Sequence, residues 1–252
     1  MKLFFMQLLR LFATAFIILI TTAIQAQKDP KTTEVWTPEA KVIAPGKSVT
    51  DAPSDAIILF DGKSASGWKH MNGDEAKWTV ADNALTVKAG TGNIQTKQEF
   101  GDCQLHIEWR IDANVKGTGQ DRGNSGIFLM GRYEVQVLDN YNNENKTYVN
   151  GQAGSIYKQN PPLVNACKAP GEWQTYDIIF TAPRFSEKGG ILEPARITVI
   201  QNGVLVQNNT TIWGNTVYIG SPTYEKHDAK EPIILQDHAH TTSFRNIWIR
   251  EL

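Results

Sequence analysis

Alternation constrains this chain more than any other feature. Cys103, Leu105, Ile107, Trp109 and Ile111 alternate with Gln104, His106, Glu108 and Arg110. Successive Cβ atoms of a strand point to opposite faces, so this pattern fits a strand and not a helix. It predicts one buried face and one wet face, with His106 on the wet one. Trp173 to Phe180 and Phe244 to Glu251 also read as strands, and Arg196 to Gln201 with Val204 to Gln207 reads as a hairpin turning at Asn202-Gly203. Asn-Gly tolerates the left-handed conformations that a tight turn needs. Apolar residues at helical spacing are nearly absent beyond residue 55, while Gly, Asn, Asp and Pro punctuate one strand after another. Without helices to make crossovers, the fold class is all-β: an antiparallel sandwich or jelly roll. A propeller is excluded, because no blade-length repeat is visible.

The amino end has a different grammar. Lys2 and Arg10 precede an apolar run, Leu11 to Ile20, followed by Thr21, Thr22, Ala23 and Ala26. Such a run is short of the roughly 20 residues that span a bilayer, and small residues follow it where a signal peptidase cuts. Residues 1–26 are therefore expected to be a signal peptide, with a retained anchor as the alternative, and the product to be periplasmic or secreted without a stable membrane anchor. Residues 27–55, rich in Pro, Lys, Thr and Ser, read as a linker or extended arm, and residues 56–252 as one domain. A net charge of -1 with interspersed signs gives no reason to expect nucleic acid as a partner. Export permits a disulfide between Cys103 and Cys167, yet the apolar strand face around Cys103 suits a buried thiol equally well.

The segment Asn124 to Asp139, NSGIFLMGRYEVQVLD, carries the most chemistry. A two-residue turn at Gly131-Arg132 would pair Met130 with Tyr133, Leu129 with Glu134, Phe128 with Val135 and Ile127 with Gln136. Met130, Phe128, Tyr133, Val135 and Val137 would then face the core, while Glu134 and Gln136 would share the outer face with Leu129, Ile127 and Leu138. Polar groups set among apolar neighbours suit a sugar, whose hydroxyls need partners and whose C–H faces need apolar surface. A solvated strand face is the plain alternative.

A second cluster is Gln236-Asp237-His238-Ala239-His240, in which an extended chain puts Gln236, His238 and His240 on one side. Two histidines with a carboxylate are able to hold a divalent metal, or one can act as a base near neutral pH. His227 lies nearby in sequence. Arg122, Asn124 and Ser125 sit in the Gly-rich run from Gly117 to Gly126, where backbone can approach a ligand and Arg122 can stabilise an oxyanion. That run lacks the patterns of phosphate and dinucleotide loops. Tyr157, in the Pro-bearing segment SIYKQNPP, is the aromatic residue expected to line the cleft.

Four stretches, LFDGKSASGWK, NSGIFLMGRYEVQVLD, GEWQTYDIIFTAPRF and ILQDHAHTTSFRNIWIREL, together resemble the 3-keto-disaccharide hydrolase family over nearly the whole domain. The resemblance implies a concanavalin A-like jelly roll with sugar on its concave sheet. Glucanases of that architecture use paired carboxylates on one strand, whereas here Gln136 follows Glu134 where a second carboxylate would sit. A 3-keto sugar needs only one base, because its C3 carbonyl acidifies the C2 hydrogen. Under this reading Glu134 or His238 is the base and His240 or Asp237 the acid or orienter. Arg122 and Gln136 donate to the oxyanion and hydroxyls, and Asn124, Tyr157 and Gln236 bind substrate. The alternative is a non-catalytic carbohydrate-binding module on the same fold.

Overall fold

The computed structural model describes residues 6–7 and 29–252, so nearly all of the expected signal peptide lies outside the described residues. No described helix is long and apolar enough to cross a membrane. The chain divides into two units, Met1–Val42 and Ile43–Leu252. In the first, Pro30–Thr33 form one 3-10 turn in which the Asp29 carboxylate accepts from the Lys31 N–H and the Asp29 carbonyl from the Thr32 N–H.

In the second unit the alternating segments become strands. In chain order these are β1 (Ile57–Phe60), β2 (Trp68–His70), β3 (Thr79–Ala81), β4 (Ala84–Thr86), β5 (Ile94–Phe100), β6 (Cys103–Ile111), β7 (Ser125–Leu129) and β8 (Tyr133–Val137). There follow β9 (Gln174–Thr181), β10 (Arg184–Phe185), β11 (Ile191–Glu193), β12 (Arg196–Gln201), β13 (Val204–Thr211), β14 (Glu231–Leu235) and β15 (Thr242–Glu251). The larger sheet runs β13-β12-β9-β6-β15-β4-β3, with β1 also on β15; the smaller runs β2-β5-β14-β7-β8; β10 and β11 form a separate ribbon. Neighbouring strands are antiparallel throughout, as in β6 with β9 and β15 and in β7 with β8 and β14. The fold is the expected all-β antiparallel sandwich.

The core lies between the two sheets. Leu105, Ile107 and Trp109 of β6 and Tyr176, Ile178 and Phe180 of β9 meet Ile127, Leu129, Tyr133, Val135 and Val137 of the smaller sheet, all of them fully buried. Each large apolar side chain removed from water contributes about 1.5–3 kcal/mol. The Tyr133 and Phe180 rings meet across the layers at 5.8 Å, and the Tyr176 hydroxyl donates to the Gln136 carbonyl at 2.8 Å. That bond fixes the strand carrying the candidate site against the larger sheet.

Two expectations change. The turn between β7 and β8 has three residues, because Met130 and Gly131 both take positive φ (52° and 64°), and the pairs become Leu129↔Tyr133, Phe128↔Glu134, Ile127↔Val135 and Gly126↔Gln136. Ile127 and Leu129 therefore enter the core and Phe128 moves to the outer face. Glu134 and Gln136 keep their shared outward face. The Asn202-Gly203 turn has two residues as expected, both at positive φ, with Gln201 paired to Val204.

The second change concerns His106, which points away from the core as predicted but is fully buried. Trp248 stacks on its ring, and Thr50, near the end of the arm, accepts hydrogen bonds from Trp248 Nε1 and Asn246 Nδ2 over this face. Asp55 pairs with Arg250. On the same face, His106 Nδ1 lies 2.6 Å from Asp177. Burial opposes the His106 charge, but the bonds to Asp177 and Glu108 prevail and raise its pKa to about 8. Glu108 is opposed by burial too, and the hydrogen bonds from His106, Asn246 and Arg245 hold it down to about 2.

Candidate active site

The outer face of the smaller sheet carries two adjacent rows of side chains. Lys69↔Gln95, Gln95↔Ile234, Ile234↔Phe128 and Phe128↔Glu134 are successive cross-strand pairs and make the first row. Beyond β8 the chain returns along its open edge: Val135 bridges Ile156, Gln136 N–H donates to the Ser155 carbonyl, and Tyr157 N–H donates to the Glu134 carbonyl. Opposed residues share a face, so Tyr157 extends this row beside Glu134. The second row is Gln236, Gly126 and Gln136, because Gln236 N–H donates to the Gly126 carbonyl and Gly126 pairs with Gln136.

Glu134 is 4 % exposed, and no described side chain donates a hydrogen bond to its carboxyl group. Burial alone pushes its pKa up to about 8. The carboxyl group lies over Gly126, where an added Cβ would stand 2.5 Å from Glu134 Oε1 and 2.9 Å from Phe128 Cε2. Glycine is required there for space, since a larger residue would displace the carboxyl group.

Gln136 is fully buried and its orientation is forced by its partners. Gln120 Nε2 donates to Thr147 Oγ1 (2.9 Å) and the Gly151 carbonyl (2.8 Å), which turns Gln120 Oε1 toward Gln136. Asn124 Nδ2 donates to the Gln120 carbonyl, which turns Asn124 Oδ1 the same way. Gln136 Nε2 donates to both oxygens, at 3.2 and 3.1 Å. Its own Oε1 is left buried without a donor, and so is Gln236 Oε1 across Gly126. Buried carbonyl oxygens without donors are uncommon and costly, and these two flank Gly126 on the site face. Gln136 thus offers an acceptor where a donor was expected, because both its N–H bonds are spent inside the protein.

On the far side of Glu134, the Tyr157 and Tyr148 hydroxyls are 2.6 Å apart. Burial raises both phenol pKa values, and the Glu134 charge adds to the rise in each, so both stay protonated. Lys158 Nζ sits 4.1 Å from the Tyr218 ring centroid and donates to the Tyr218 carbonyl, forming an aromatic rim.

The other expected residues fall into two groups. Gln236 and Asn124 join Glu134, Gln136 and Tyr157 as described. Asp237 accepts backbone N–H bonds from Gly92 and Ala239 with separate oxygens, both at 2.9 Å, and so holds the loop in shape. Arg122 gives its Nε to the buried carboxylate of Asp139 at 2.6 Å, so its charge is matched within the protein. His238 is exposed and stacks on His240, whose Nε2 is 3.2 Å from Asp121. The pair follows Gln236 toward the Asn124 end of the second row. His227 is elsewhere, against the core-facing Tyr133 hydroxyl at 2.7 Å. Among the described residues no group of three His, Cys, Asp or Glu side chains is placed to hold a metal ion. Cys103 and Cys167 are both free thiols.

Sequence reasoning missed Gln120, Gly126 and Tyr148. A lone glycine inside a strand was a signal for the second of these. Gln120 and Tyr148 lie in irregular loops whose return to β8 has no local signature.

The chain is thus an all-β antiparallel sandwich protein with a buried, donor-free carboxyl group and unpaired amide oxygens on one sheet face. Residues 55–250 match the model of the 3-keto-alpha-glucoside-1,2-lyase-like domain, and the chain belongs to that family. Among solved structures, a protein of Parabacteroides distasonis assigned as a glycosyl hydrolase is 54% identical with a TM-score of 0.84, covering 89% of this chain and 97% of that one. A second protein from the same organism with the same assignment is 20% identical (TM-score 0.56, 79% of this chain and 94% of that one), which shows the shared fold. A comparison with curated proteins finds no match.

Proposed function

We propose that this protein is an exported carbohydrate-active enzyme that cleaves 3-keto glycosides, with Glu134 abstracting the C2 proton. The observation that carries this is the Glu134 carboxyl group: buried, without a donor, its pKa raised to about 8, and set between two unpaired amide oxygens and two phenols. A base of that pKa is stronger than a solvated carboxylate and still partly ionised near neutral pH. Family membership and the glycosyl hydrolase assignment of the 54% identical structure support a sugar substrate.

The chemistry follows from β8 placing Gln136, not a second carboxylate, beside Glu134 on this face. Glu134 takes the C2 proton and the electron pair moves into an enolate on the C3 oxygen. The enolate re-forms the C3 carbonyl, the C1–C2 double bond forms, and the C1–O bond breaks with its electrons leaving on the aglycone oxygen. Water adding back at C1, with a proton returned to C2, gives net hydrolysis; release before that step gives a lyase. Gln136 Oε1 and Gln236 Oε1 accept from ring hydroxyls and hold the sugar in register, while Phe128 and Ile234 offer apolar surface beside them.

The test compares a 3-keto glucoside with its unoxidised parent. Cleavage confined to the 3-keto substrate, reduced about 10²–10⁴-fold in Glu134→Gln, is expected. Equal cleavage of both substrates would favour an ordinary glycosidase, and binding of either without turnover would favour a carbohydrate-binding module.

A further inference from the structure

Glu134 accounts for the proton taken from C2, but the departing aglycone oxygen needs a proton of its own. The expected acids do not meet that need: both Asp237 oxygens accept backbone N–H bonds, and His240 Nε2 faces Asp121. Tyr157 is the cross-strand neighbour of Glu134 on the site face, and its hydroxyl meets that of Tyr148 at 2.6 Å, within the range of a strong O–H···O bond. The Tyr148 ring is held in place by its seat on Gly151, where an added Cβ would collide with Tyr148 Cε2.

We propose that the Tyr148–Tyr157 hydroxyl pair is the general acid that protonates the leaving aglycone, a step separate from the proton abstraction by Glu134. The proposal rests on the 3-keto glycoside reading. As the C1–O bond breaks, the Tyr157 O–H proton passes to the aglycone oxygen, giving a neutral alcohol. Tyr148 donates to the phenolate as it forms. The proton that Glu134 took from C2 then returns to the phenol pair, because burial raises the phenols above their ordinary value of 10 while Glu134 stands at about 8. The cycle closes with no outside acid: one C2 proton is lost, one alcohol is released, and every side chain recovers its starting state.

The experiment uses the whole protein with 3-keto glucosides carrying phenol aglycones of graded acidity and one alkyl aglycone. Two quantities are measured: exchange of C2 hydrogen with deuterated water, and the rate of aglycone release. In Tyr157→Phe, aglycone release should fall more than C2 proton abstraction, so that C2 exchange per aglycone released rises above the wild-type ratio for the alkyl aglycone. Release should be nearly unchanged for nitrophenyl groups but fall about 10²–10³-fold for the alkyl aglycone, the range of a lost general acid. Tyr148→Phe should show the same dependence more weakly. A uniform loss across all aglycones, or none, would overturn the acid role; if Tyr157→Phe fails to fold, the presence or absence of that dependence in Tyr148→Phe decides. Aglycone release by the wild-type protein without loss of deuterium from C2 of a C2-deuterated substrate would instead remove the underlying reading.

Discussion

At the scale of single residues, the Glu134 carboxyl group is kept dry by the fold. Glu134 is raised to about 8 by burial, so the folded protein holds a proton that the unfolded chain, at the ordinary value of 4.5, has released. This contribution to stability is full below about 4.5 and is lost as pH rises toward about 8, with a slope near 1.4 kcal/mol per pH unit between them. Glu134→Gln should flatten that part of the profile and gain stability over wild type at pH 8 more than at pH 5, as denaturant titrations at the two values will show. Gly126→Ala should destabilise by about 1–3 kcal/mol and cost activity, because its methyl group would occupy the space of Glu134 Oε1. The sequence revealed that Glu134 and Gln136 share a face, since alternation decides this whatever the turn. It concealed their burial, which comes from Gln120, Tyr148 and Tyr157 folding back over β8 from loops without periodicity.

At the scale of elements, one residue in a turn rearranged the predicted hairpin. Gly131-Arg132 looked like the centre of a two-residue turn, but Met130 also takes positive φ, and the added residue shifts every pair by one. A side chain in the left-handed region is seldom foreseen from sequence. The Asn202-Gly203 turn, whose residues favour that conformation, was legible, whereas the two register shifts beyond it and the run of β13 on to Thr211 were not. The arm is the other element that sequence left open. Its Pro-, Lys- and Ser-rich composition suggested a linker, yet Thr50 and Asp55 bind Asn246, Trp248 and Arg250 of β15. A chain beginning after Asp55 should lose about 2–4 kcal/mol, from two hydrogen bonds near 1 kcal/mol each and the Arg250 pair. It should retain C2 exchange, since Thr50 and Asp55 bind β15 of the larger sheet and not the sheet that carries Glu134; thermal melts and an exchange assay check both halves.

At the scale of the molecule, the two sheets divide the labour. The larger one carries the His106 network, and the smaller presents the candidate site on its outer face. The His106 pKa, raised from 6.5 to about 8, adds stability that is full below 6.5 and disappears as pH rises through about 8. Glu108, held at about 2, adds stability above 4.5 that is lost as pH falls through 2. The protein should therefore be most stable on the mildly acidic side of neutrality. The two thiols contribute no cross-link: burial, with the nearby Asp102 and Glu251 charges, pushes Cys103 up to about 12, and burial pushes Cys167 to about 11. Native protein should resist alkylation at pH 8 and take up two labels per chain once unfolded, as mass spectrometry will read directly.

The most direct measurement is the loss of deuterium from C2 of a C2-deuterated 3-keto glucoside as a function of pH. Wild-type protein should wash out the label at a rate that climbs about tenfold per pH unit below the Glu134 pKa of about 8, is half-maximal there, and levels above it. Glu134→Gln should leave the label in place across the range. Washout that ignores pH through this window, or that persists in Glu134→Gln, would contradict the assignment of the base.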